Sequence, residues 1–201
     1  MNFLAHLVLA GADDDLRMGA MLGDFVRGRS ALQAFAPGVR TGILLHRRID
    51  AFTDALPEIA ALRAGFPGGF RRYGGIIIDL GLDHELARNW GRWNRQTLEG
   101  FDAGVREMLD RRAPEVPAEL WRFMDYADRR GLFAAYRDRV EILHSLRGIG
   151  RRLSRHNPLH RVEDIWAPFE ARLRRCFPPV FEAVQSDVAD WLKSKSITTG
   201  S

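Results

Sequence analysis

Apolar residues recur at three- and four-residue intervals along nearly the whole chain, which is the period of an α-helix. Phe3 to Leu9 makes one short apolar helix, and Asp13 to Asp15 offer caps for a second over 16–26. Pro37 can open a third, with Val39, Ile43, Leu44, Ile49 and Phe52 on its buried face. Pro57 starts a fourth, and Pro67-Gly68-Gly69 breaks the pattern. The next segment, 70–95, carries Ile76, Ile77 and Ile78, which also suit a strand. Ile77, Leu80, His84 and Ala87 keep helical period, and no other stretch offers a strand to pair with, so a helix is expected. Further helices are expected over 101–112, 118–130, 132–153, 160–176 and 179–193, with Ala113-Pro114 and Asn157-Pro158 as breaks. The pattern predicts an all-α, single compact domain of roughly seven to ten helices over 1–193. A polar, frayed tail is expected over 194–201.

Composition narrows the class. A chain of 201 residues is long enough to bury a substantial core in one domain. No apolar run reaches the roughly 18 residues of a membrane helix, so no membrane partner is expected. The apolar start lacks a basic lead and is followed by Asp13-Asp14-Asp15, which predicts a core helix rather than a signal peptide. Cys176 is the only cysteine, so no intrachain disulfide forms and a cytoplasmic setting is expected. The net charge is +4 and is carried almost wholly by arginine, with Lys193 and Lys195 the only lysines. Arginine makes bidentate contacts with phosphate and carboxylate, so an acidic partner is favoured. No nucleic-acid motif or basic–aromatic run accompanies that charge, and nucleic acid is not an expected partner. A P-loop, a dinucleotide fingerprint, zinc-type cysteines and Gly-x-Ser-x-Gly are all absent.

The chemistry-bearing residues lie in the first half. His46 and Asp50 are four apart, as are Asp79 and Asp83, with His84 next in line. On a helix each pair shares one face. Taken singly, the first pair also suits a His–Asp hydrogen bond on a solvated face, and the second a salt bridge to Arg88 or a more distant arginine. Asp24 stands alone in the apolar turn Met21-Leu22-Gly23-Asp24-Phe25-Val26, and His6 alone in the first helix. Each also suits a structural role. As a set, His6, Asp24, His46, Asp50, Asp79, Asp83 and His84 could build a His/Asp cage for a hard divalent metal.

At these residues the chain resembles the acyl carrier protein phosphodiesterases, or holo-acyl-carrier-protein hydrolases. The resemblance is carried by Met1-Asn2-Phe3-Leu4-Ala5-His6-Leu7 and by Gly23-Asp24-Phe25-Val26-Arg27-Gly28. It continues through His46-Arg47-Arg48-Ile49-Asp50, Thr53-Asp54 and Asp83-His84 followed by Trp90, in the family's order and spacing. Past residue 100 it rests on length, helical pattern and short pieces such as Tyr136-Arg137. The resemblance also implies a distant kinship with the all-helical HD-domain phosphohydrolases, but this chain has Asp83-His84 rather than an adjacent His-Asp. The resemblance implies hydrolysis of the phosphodiester joining 4′-phosphopantetheine to a serine of holo-acyl carrier protein. For that chemistry a mixed carboxylate–imidazole site suits Mn²⁺, with Mg²⁺ as the alternative. The resemblance places Asp24, His46, Asp50 and Asp83 ahead of His6, Asp79 and His84 as ligands. His84 or Asp54 would move the proton, and Arg47 or Arg48 would offset phosphate charge. Arg27 and Arg29 would meet the acidic carrier protein, with Arg151, Arg152 and Arg155 as a second basic stripe. Two rivals are an HD-like phosphohydrolase acting on a small nucleotide and a non-enzymatic helical binding protein.

Overall fold

The computed structural model describes the backbone of residues 1–198 and side chains through residue 195. Those residues form eleven α-helices and four short 3₁₀ turns, with no strand among them. The helices are α1 (Phe3–Leu9), α2 (Asp14–Leu22), α3 (Pro37–Ala55), α4 (Pro57–Ala64), α5 (Gly68–Arg71) and α6 (Gly74–Arg88). They continue as α7 (Trp90–Trp93), α8 (Leu98–Arg111), α9 (Ala118–Asp128), α10 (Arg139–Arg152) and α11 (Glu163–Thr198). The all-α expectation holds, including the helical reading of the three isoleucines.

α6 is the centre of the fold. It is buried on nearly every side, from Ile77 through Ala87, and α1, α4, α10 and α11 pack around it. A helix enclosed this way shows no polar stripe, which is why its segment was ambiguous. Each fully buried Leu or Ile there contributes about 1.5–3 kcal/mol relative to exposure. α2 and α3 form the most intimate pair and lie beside α1.

Several boundaries differ from expectation. α2 starts at its Asp13 cap, which accepts from Leu16 N–H at 2.9 Å, and ends at Leu22, a turn early. The 70–95 segment is three helices; the Asn89 side chain donates to the Glu85 carbonyl and closes α6. Residues 132–153 are not one helix either. Gly131 and Leu132 adopt φ of 88° and 50°, a left-handed pair that stops helix growth. Asp138 then caps α10 by accepting from Val140 N–H at 2.8 Å. The last two expected helices are one, in spite of Pro168, Pro178 and Pro179. Each interior proline costs about 3 kcal/mol in an exposed helix. Here Phe169, Leu173, Phe177, Val180, Phe181, Val184 and Val188 form a buried stripe on both sides of the prolines, and that packing outweighs the lost bonds. The helix also runs past 193 to Thr198, and the final part of the expected tail, 199–201, lies outside the described residues.

Candidate metal centre

Two glycines let α2 and α3 touch. A Cβ on Gly19 would lie 2.1 Å from the Val39 carbonyl oxygen, and one on Gly42 would lie 2.4 Å from the Leu16 carbonyl oxygen. One turn on, a Cβ on Gly23 would fall 2.1 Å from His46 Cγ. The imidazole therefore occupies the space a side chain would take, directly beside Asp24. His46 Nδ1 donates to the Ala20 carbonyl at 2.8 Å. That bond fixes the ring and aims Nε2 at Asp50 Oδ2 (3.2 Å) and Asp24 Oδ1 (3.4 Å).

His6 arrives from α1 and stacks on His46, with ring centroids 3.9 Å apart and planes 11° from parallel. Its Nε2 lies 3.1 Å from Asp50 Oδ1 and 3.2 Å from the Met1 carbonyl oxygen. Its Nδ1 is buried with no hydrogen-bond partner. His6, His46 and Asp50 each present a ligand atom, all within 4.8 Å of one another. The Met1 amine donates to Asp50 Oδ1 at 3.4 Å and to Asp79 Oδ1 at 3.0 Å, so Asp79 joins the rim.

The charges are unequal. Burial lowers the His6 pKa to about 4, so this ring is neutral, the form that ligates metal. Burial also disfavours charge on His46, but its bonds to Asp24 and Asp50 outweigh that and raise it to about 9. Asp24 is lowered, chiefly by its bond to His46. Burial pushes Asp50 up, yet the bonds from His46 and His6 hold it well below the carboxylate range. Asp79 is raised by burial, against the pull of the Met1 amine. Three carboxylates thus converge on the Met1 ammonium and the His46 proton. A site that concentrates positive charge this way, with one neutral imidazole, an unpartnered ring nitrogen and a second imidazole held by a backbone carbonyl, fits a divalent metal ion.

Asp83 and His84, expected as ligands, and Asp54, expected to move the proton, make the following contacts. Asp83 is fully buried and accepts backbone N–H bonds from Asn2 (3.3 Å), Leu4 (2.9 Å) and Ala5 (3.2 Å). Asn2 makes no side-chain cap, so Asp83 caps α1 from α6 and thereby seats His6. Burial pushes its pKa up to about 7. His84 Nδ1 donates to the Tyr136 carbonyl at 2.6 Å, and His84 joins Glu85 and Glu170 in a second group of ligand-type residues. Arg88 donates to Glu170 at 2.9 Å, and Arg174 lies 3.5 Å from the same carboxylate. Asp54, one turn past Asp50, is exposed and pairs with Arg63 at 2.9 Å.

Arg47 donates to the Val26 carbonyl at 2.6 Å and ties down the turn that carries Asp24. Arg48 makes a two-pronged pair with Asp187 of α11. Arg27 and Arg29 are exposed on the loop after Asp24. The sequence reading missed the Met1 amine, the Ala20 carbonyl, Gly23 as the seat of His46, and the contact of Glu170 with His84 and Arg88. Only Gly23, adjacent to Asp24, carried a visible signal.

Among the described residues no helix is long and apolar enough to cross a membrane. The acyl carrier protein phosphodiesterase family matches over residues 1–184. Proteins named acyl carrier protein phosphodiesterase from Escherichia coli O139:H28 (strain E24377A / ETEC) and Escherichia coli (strain K12 / DH10B) are similar to this chain. Each is 36% identical over 172 residues, covering 85% of this chain and 87% of the relative. No solved structure matches.

Proposed function

We propose, from the premise that the chain belongs to the acyl carrier protein phosphodiesterase family, that it hydrolyses the phosphodiester between 4′-phosphopantetheine and a serine of holo-acyl carrier protein. Water adds to phosphorus, the P–O bond to serine breaks, and the serine oxygen takes a proton. Apo-acyl carrier protein and 4′-phosphopantetheine leave. The observation that carries this reading is the convergence of His6, His46 and Asp50 beneath Asp24, whose side chain is 62% exposed.

His6, His46 and Asp50 would hold the divalent ion, with Asp24 and Asp79 at the rim. Mn²⁺ suits this mixed imidazole–carboxylate set, with Mg²⁺ as the alternative. Such an ion, when bound, polarises phosphoryl oxygens and lowers the pKa of water. Asp24 stays ionised at the mouth, where it can orient the water and accept its proton. Its position favours it over His84, which bonds Tyr136 and Glu170, and over Asp54, which pairs with Arg63. Asp83 positions His6 through α1. Arg27 and Arg29, exposed on the loop after Asp24, would steer an acidic carrier protein toward it. The proposed compartment is the cytoplasm, consistent with a single free cysteine.

The test is incubation of the protein and Mn²⁺ with holo-acyl carrier protein, read by mass. Loss of the phosphopantetheine group is expected. An unchanged mass, with the protein folded and Mn²⁺ bound, contradicts the reading.

A further inference from the structure

Beside the candidate centre lies a cleft of about 290 Å³ that the bond-breaking step leaves unused. It runs between α6, α9 and α10. Asp79 and Asn2 stand at its near end. Asp79 is the link to the centre, because its Oδ1 accepts from the Met1 amine at 3.0 Å and that amine reaches Asp50 Oδ1 at 3.4 Å. Beyond Asp79 the walls are chiefly apolar, with Phe3, Leu80, Phe123 and Ile149, and Ser145 and Arg152 add polar atoms.

A phosphodiester held at His6, His46 and Asp50 has two arms. The serine arm belongs to a folded carrier protein and must stay at the open mouth, on the side of the exposed Asp24, Arg27 and Arg29. The other arm is slender. It has a gem-dimethyl carbon, short methylene spacers, a hydroxyl, two amides and a terminal thiol. Such an arm needs a narrow, mostly apolar channel with a few polar groups, the usual make-up of a small-molecule site. The cleft has that make-up and adjoins the centre through Asp79.

We infer that the cleft bounded by Asp79, Leu80, Phe123 and Ile149 receives the pantetheine arm of the substrate while its phosphate lies at the His6–His46–Asp50 centre. This inference rests on the proposed hydrolysis of holo-acyl carrier protein. The cleft sorts substrates by the arm and not by the carrier protein's fold.

The experiment fills the cleft from partly exposed positions, with Ile149→Trp and Ser145→Trp. For folded variants, kcat/KM for holo-acyl carrier protein is expected to fall about tenfold or more. In parallel, the wild-type protein is exposed to 4′-phosphopantetheine and followed by hydrogen exchange. Slower exchange is expected in the α9 and α10 segments that carry Phe123 and Ile149. Wild-type kcat/KM in both folded variants overturns the inference and leaves the hydrolysis intact. If the tryptophan variants do not fold, hydrogen exchange decides: protection at α9 and α10 supports the cleft, and none there overturns it. A wild-type protein that leaves holo-acyl carrier protein whole defeats the hydrolysis reading itself, which is a separate readout.

Discussion

Two groups of metal-ligand residue types lie among the described residues, and the positive charge beside them differs in kind. His6, His46 and Asp50 come from α1 and α3; His84, Glu85 and Glu170 come from α6 and α11. In the first, Asp50 meets a neutral His6, and the counter-charge is the Met1 amine, which faces Asp50 and Asp79, and a proton on His46, which faces Asp50 and Asp24. In the second, the carboxylates face guanidinium groups: Arg88 and Arg174 both reach Glu170, and both approach Glu85. The proton on His46 and a proton of the Met1 ammonium can each be given up to a metal ion, because an imidazole and an amine both have neutral forms. An arginine cannot give up its charge, and it repels a second cation. Proximity of ligand types is therefore insufficient; on the proposed assignment, the source of the neighbouring positive charge is what sets the first group apart from the second.

Breaking each group in turn should give opposite results. His46→Ala is expected to lower holo-acyl carrier protein hydrolysis by on the order of a hundredfold or more, while Glu170→Ala leaves it within about twofold, in steady-state assays with Mn²⁺. The next effect comes from Gly23. A Cβ there would meet the His46 ring, so Gly23→Val should cut hydrolysis about tenfold or more while circular dichroism stays that of the wild type.

The second group should register in stability. Glu170→Ala leaves Arg88 and His84 short of a partner and should cost about 2 kcal/mol in urea unfolding. The smallest expected effect lies outside both groups and serves as their reference. Asp102 accepts from Ala134 N–H at 2.9 Å, its Oδ1 has no partner, and burial raises its pKa from 3.8 to about 6. The folded state thus holds this proton more tightly than the unfolded chain. Its contribution is present at low pH and is lost as pH rises through about 6. Asp102→Asn should flatten that decline by about 1 kcal/mol, seen by comparing urea midpoints across the range.

Much of the candidate site was legible because its residues are local. His46 and Asp50 share a helix turn, Pro37 opens that helix, and Asp24 stood out as a lone acid in an apolar turn. Asp83 stood out beside Asp79 as a ligand or salt-bridge candidate, but its partners are three backbone N–H groups at the start of α1, which no side-chain pattern records. The same holds for the Ala20 carbonyl that fixes His46. Glu170 meets His84 across 86 residues of chain, a pairing set by how α11 lies on α6. The unbroken α11 was hidden by local chemistry that argued the other way: its prolines are overruled by a buried aromatic stripe.

The most direct measurement is Mn²⁺ binding followed by electron paramagnetic resonance on the wild-type, His46→Ala and Glu170→Ala proteins. Binding by the wild type and by Glu170→Ala, with loss in His46→Ala, is the expected result. Wild-type binding in His46→Ala together with loss in Glu170→Ala would place the metal in the arginine-flanked group and contradict the assignment.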